Sequence, residues 1–226
     1  MQARLATACA RLLTTAPPAG SVQLAAARGA INASVDPTWL HGLLAGRDVP
    51  AGLVVDAELR WLLLYRLAVL GAVEGARIDE EAGQDRSAAG EQWAAKCRAA
   101  LPGPAAKARA WQAIVTDADL SNRIVEAYAE GFWQPEQAEL TAAYVDRYVA
   151  DMPAAARLRA AWLADRVAQL AFPRYTVSEA TRQTVGGLLA RDDLTPGLRR
   201  VVVDAVDDLD RALTARRTYA AGGGTR

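Results

Sequence analysis

The stretch 56–70, D-A-E-L-R-W-L-L-L-Y-R-L-A-V-L, restricts the fold more than any other part of the chain. Asp56 is a good helix cap, Gly71 a good helix end, and nothing between them breaks a helix. At about 100° per residue, Leu59, Leu62, Leu63, Leu67 and Leu70 share one side. Trp61, Leu64, Tyr65 and Ala68 make the opposite side apolar as well. A helix apolar nearly all round needs neighbours on both faces, so this segment predicts the middle of a packed stack. It is too short and too rich in arginine to span a membrane. Arg60 and Arg66 are the only charges after Glu58, and each must meet a partner or reach water.

Proline, glycine and capping residues divide the rest into helices around this one. Helical segments are read at 2–15, 21–31 and, opened by Asp36-Pro37, up to about Gly46. After 56–70 come 73–81 and 87–100, then Leu101-Pro102-Gly103-Pro104, the strongest interruption mid-chain, then 104–115. Ser121 caps a helix over 121–130 that Gly131 ends, and Gln134-Pro135 opens one running through Ala150. Another is read over 153–171 and a weaker one over 178–191, where Gly186-Gly187 sits inside. Thr195-Pro196 opens the last, whose apolar spacing (Leu198, Val201, Val202, Ala205, Leu209, Leu213) outweighs the local β-propensity of Val201-Val202-Val203. No sustained period-2 stretch occurs. Helices of roughly 10–20 residues on short loops predict antiparallel pairs, in units of about 35–40 residues. The expected fold is an all-α, HEAT-like solenoid: one domain over 1–217 and a flexible, glycine-rich tail over 218–226.

The chemistry the chain lacks is equally informative. Its one histidine, His41, cannot build an H-E-x-x-H zinc helix, and nothing around it suggests a catalytic triad. There is no phosphate-binding P-loop, and Gly222-Gly223-Gly224 has neither a lysine nor a following helix. Acid pairs such as Asp207-Asp208 read as surface charge. The 26 basic and 26 acidic residues cancel, so no net field recruits nucleic acid or anionic lipid. Cys9 and Cys97 make neither a metal site nor a disulfide framework, and they fit a reducing cytoplasm. No catalytic or metal-binding residue is expected in this chain.

Several stretches in order carry a family resemblance: V-D-A-E-L-R-W (55–61), D-R-S-A-A-G-E (85–91), A-W-Q-A-I-V (110–115), S-N-R-I-V-E-A-Y-A-E-G-F-W-Q-P-E-Q-A-E-L (121–140), F-P-R (172–174) and L-R-R-V-V-V-D-A-V-D-D-L-D-R-A-L (198–213). Together they resemble the C-terminal, endoplasmic-reticulum-aminopeptidase-like domain of the zinc aminopeptidase N family, in its actinobacterial form. The resemblance implies a helical domain, without activity of its own, that packs over a catalytic domain and closes the chamber where a peptide's N-terminus is cut. It places the zinc, with the H-E-x-x-H and G-x-M-E-N motifs, in that other domain, so no cofactor is expected here. Partners would be the catalytic domain and, through it, the peptide, with no nucleic acid and no membrane. The start inside an amphipathic helix fits the last part of a longer enzyme. The rival reading is a free-standing helical-repeat scaffold that binds a protein partner.

Four residues stand out as chamber or inter-domain candidates: Arg60, Phe132, Trp133 and Gln134. Each has a plainer reading. Asp56 and Arg60 are four apart and predict an intrahelical ion pair. Phe132 and Trp133 read as plugs between helices, and Gln134 as the cap of the helix that follows. Trp93, Trp111 and Trp162 are expected in the core. Arg174 is expected to cap the preceding helix's carbonyls.

Overall fold

The computed structural model describes residues 2–222, and every regular element among them is a helix. The chain divides into two compact units, Met1–Pro102 and Gly103–Arg226, where the sequence was read as one domain over 1–217. The boundary falls inside Leu101-Pro102-Gly103-Pro104, where two prolines remove backbone donors and no helix can continue.

The first unit holds α1 (Gln2–Thr15), α2 (Ser21–Ala33), α3 (Pro37–Leu44), α4 (Ala57–Val69), α5 (Gly75–Gln84) and α6 (Ala88–Ala100). Each odd helix packs on the even one that follows it, and α4 packs on α2 and α6 as well. The segment that is apolar all round is therefore central in this unit, as its pattern requires. Trp61, Leu63, Leu64, Leu67 and Ala68 are at most 1% exposed. Its ends are chemically specified. Asp56 Oδ1 accepts from the Leu59 amide at 2.9 Å, and Gly71 follows the helix at φ +68, a conformation open to glycine at little strain. Asp36 caps α3 by accepting from the Thr38 and Trp39 amides.

The second unit holds α7 (Pro104–Val115), α8 (Asn122–Phe132), a 3-10 turn (Pro135–Gln137), α9 (Ala138–Thr141), α10 (Tyr144–Ala155), α11 (Ala161–Leu170), α12 (Glu179–Gly186), a second 3-10 turn (Gly187–Ala190) and α13 (Pro196–Gly222). These helices form two rows, α7–α10–α12 and α8–α11–α13, joined across by α7 on α8 and α12 on α13.

Several sequence boundaries move. The helix read from Gln134-Pro135 through Ala150 is a 3-10 turn followed by α9 and α10. Pro153 does not open a helix but lies in the last turn of α10, where a missing N–H disturbs little that follows. The chain then breaks over 156–160, pinned by Arg157 donating to the Asp193 carbonyl and Arg159 to the Asp117 carbonyl. That break resets the helical phase. Leu158 is left 48% exposed and Trp162 61% exposed, against the expectation of a core tryptophan. Gly131 does not end α8 but is buried inside it. Gly186-Gly187 marks the change from α12 to 3-10 geometry, where glycine weakens the α-helix. Of the tail read at 218–226, residues 218–222 continue α13, with Thr218 Oγ1 bonded to the Thr214 carbonyl; the remainder lies outside the described residues.

Candidate functional site

Arg60 leaves α4 towards α5, and its partner is Glu81, not Asp56. Arg60 Nε and Nη2 donate to the two Glu81 carboxylate oxygens at 2.7 and 2.8 Å, while Nη1 reaches the Leu44 carbonyl at 3.3 Å. The planar fork matches a carboxylate two-to-two, which a pair along one helix rarely achieves. Asp56 spends its carboxylate on the helix cap instead. Arg77 adds a second cation to Glu81 at 3.1 Å. Glu81 keeps only 5% of its side-chain surface, and Arg60 keeps 29%. The hydrogen bonds from Arg60 hold the Glu81 carboxyl below its ordinary range despite burial, and the same bond raises Arg60. Next to this cluster Trp61 Nε1 donates to Asp85 Oδ2 at 2.8 Å. Asp85 is pulled down first by Ser87 and then by Trp61. Arg66, the other charge of α4, is buried and donates to the Ser34 carbonyl at 2.7 Å. The arrangement locks α4 to α5. A peptide carboxylate would have to displace Glu81 to reach the fork of Arg60.

Phe132, Trp133 and Gln134 come together at the end of α8 and are all buried. The Phe132 ring lies 5.2 Å from Trp111, 5.2 Å from Trp133 and 4.9 Å from Tyr144, all tilted or edge-on, the favourable aromatic geometries. Trp133 Nε1 donates to the Ala171 carbonyl at 2.7 Å, tying this corner to the end of α11. Gln134 does not cap the next element, and its Nε2 donates back to the Gly131 carbonyl at 2.9 Å, closing α8. Arg174 performs the cap read for it, donating to the Gln169 carbonyl at 2.9 Å.

The sequence reading missed Lys107. It is 0% exposed, and its Nζ donates to the Phe132 carbonyl at 2.7 Å and stands 5.1 Å over the Phe132 ring. Burial pushes its pKa down to about 7. A signal was present: Lys107, Trp111 and Ile114 recur at i, i+4, i+7, which puts the lysine on the apolar face of α7. Lys96, the only other lysine, lies 5.2 Å from both the Tyr65 and the Trp93 ring centroids. Glu81 and Arg77 were also missed, because their link to Arg60 crosses from one helix to another.

No set of three or more His, Cys, Asp or Glu side chains able to hold a metal occurs among the described residues. His41 Nε2 lies 3.1 Å from the Ala72 carbonyl. Cys97 is fully buried, which raises its thiol. No described helix is long and apolar enough to cross a membrane.

A family model described as the ERAP1-like C-terminal domain matches residues 3–211, which takes in both units and both clusters. Aminopeptidase N of Streptomyces lividans is 39% identical over 182 residues, covering 80% of this chain and 21% of that protein. The chain thus spans about a fifth of the curated relative it matches. With nearly its whole length matched and every regular element helical, the chain belongs to the ERAP1-like C-terminal domain family.

Proposed function

We propose that this chain is the non-catalytic C-terminal domain of a zinc-dependent aminopeptidase N, and that it closes over the catalytic domain and shapes the chamber that receives the peptide. The carrying observation is the match to aminopeptidase N over 80% of the chain, in a sequence that holds one histidine and no H-E-x-x-H. The zinc would belong to the catalytic domain, and a cytoplasmic location accompanies this reading. Paired helices stacked in rows within each unit support the HEAT-like architecture. Arg60, Phe132, Trp133 and Gln134 serve the chamber by holding its helices in place, since each spends its polar groups or its ring on neighbours within its own unit.

The test is complementation. An aminopeptidase N lacking its matching domain is assayed on short and long peptides with and without this chain, and zinc is measured in the chain alone. Restored handling of peptides, from a chain without stoichiometric zinc, is the expected result. A chain that neither associates nor changes the kinetics, or that binds zinc and turns over substrate by itself, defeats the proposal.

A further inference from the structure

The acid-rich turn of α13, Asp204-Ala205-Val206-Asp207-Asp208-Leu209-Asp210, lies beside an open groove of about 360 Å³. Phe172, Val177, Val201 and Leu209 supply apolar walls, and Asp204 and Asp208 line the same groove. Phe172, Val201 and Leu209 also belong to the core of the unit, so the groove has a rigid floor. The four aspartates of this turn are not equivalent. Asp210 is occupied by Arg182, bonded at 3.0 and 3.2 Å. Asp207 and Asp208 share one guanidinium, that of Arg211. Asp204 makes no ion pair or hydrogen bond with the described residues. Arg174, the cation of the lining, donates to the neutral Gln169 carbonyl and keeps its charge, so it offsets one of the two lining carboxylates. The groove therefore combines apolar walls with a carboxylate rim whose charge is only partly met.

We propose that this groove docks a linear segment of a partner protein in which an aliphatic side chain stands beside a lysine or arginine. The aliphatic group would enter between Phe172, Val201 and Leu209, and the cation would meet Asp204 and Asp208. Residues four apart on a helix have Cβ atoms about 5–6 Å apart, so one guanidinium can reach both carboxylates. The volume lies at the low end of the range for small-molecule sites, about 300–1,000 Å³, and suits one or two side chains better than a whole metabolite. An apolar centre with a charged, wet rim is the usual anatomy of a protein contact. An anionic ligand would meet two carboxylates against one guanidinium and is disfavoured.

Two fluorescein-labelled peptides, G-L-R-L-K-G and its acidic counterpart G-L-E-L-E-G, are titrated with the 226-residue chain and followed by anisotropy. The basic peptide should bind saturably, more weakly as salt rises, and the acidic one should not bind. The double substitution Asp204→Asn with Asp208→Asn changes exposed groups only and should weaken binding at least about tenfold. Ala205→Trp, which fills the groove, should abolish it, with melting used to verify the fold and Ala212→Trp as the substitute. If neither tryptophan variant folds, the carboxamide pair decides. No saturable binding up to millimolar chain, equal binding of the acidic peptide, or unchanged affinity in the carboxamide variant overturns the proposal.

Discussion

In the first unit a part-buried arginine, Arg60, lies against a carboxylate; in the second a fully buried lysine, Lys107, lies against a carbonyl and the face of a ring. The arginine comes to rest with its charge strengthened, because Glu81 offers two oxygens to its planar fork. The lysine comes to rest with its charge weakened, because burial outweighs what a carbonyl and a ring return. Around Glu81 the first unit thus tolerates buried charge by pairing it. The second tolerates it by moving it towards neutrality, inside a cluster whose main cohesion is aromatic packing.

The largest expected effect is on that packing. Phe132→Ala removes a fully buried ring that touches Trp111, Trp133 and Tyr144, and should destabilise by about 3–5 kcal/mol in denaturant melts. A loss below that of Arg60→Ala would reverse the order of the two clusters.

The ion cluster comes next. Breaking a buried pair destabilises by about 3–5 kcal/mol. With Arg77 still in place on Glu81, Arg60→Ala should lose about 2–3 kcal/mol, and Arg60→Lys should recover only part. Double-mutant cycles separate the two candidate partners. Arg60 with Glu81 should be strongly non-additive, and Arg60 with Asp56 additive, because Asp56 acts as a cap. Coupling to Asp56 instead of Glu81 would restore the intrahelical pair.

The two cations should also differ in their response to pH. The Lys107 pKa is lower in the folded state, about 7 against an ordinary 10.5, so above pH 7 the unfolded chain holds the extra proton. Stability should therefore rise with pH through that window, by at most about 1.4 kcal/mol per unit. Above an ordinary thiol pKa of 9.0 the buried Cys97, whose thiol is raised by burial, works in the opposite direction, so the rise should be sought between pH 7 and 9. Lys107→Met should flatten that limb. Glu81 has the same sign in a more acidic window: its contribution is full above its ordinary pKa of 4.5 and is lost as pH falls through its depressed folded value. A neutral-limb slope unchanged in Lys107→Met would show that the buried amine does not titrate there.

The smallest effect is expected at Trp162, where solvent already reaches most of the ring. Trp162→Ala should stay within about 0.5 kcal/mol of the parent in the same melts.

Features set by neighbours in sequence were legible, and features set by distant partners were not. Asp36, Asp56 and Ser121, read as caps, each accept from a backbone amide two or three residues on, while Ser87 and Ser178, read as first helical residues, are caps of the same kind. The centrality of α4 followed from its lack of any polar face. The choice Arg60 makes between Asp56 and Glu81 did not follow, because spacing permits the first and only the approach of α5 supplies the second. Gln134 closes the helix behind it and not the one ahead, since the turn after it needs no side-chain cap. Trp162 was misplaced because a continuous helical phase was carried across 156–160, where the chain breaks.

The scarcity of lysine gives this fold a built-in chemical gauge. Of its two lysine amines, Lys96 sits at a partly open site between two rings in the first unit, and Lys107 is sealed inside the second. Acylating reagents attack only a neutral amine they can reach, so in the native chain lysine modification should concentrate at Lys96 and spare Lys107. A tag appearing at Lys107 then reports the opening of the second unit alone, and the Lys96 tag on the same digest gauges how much reagent the native chain has met.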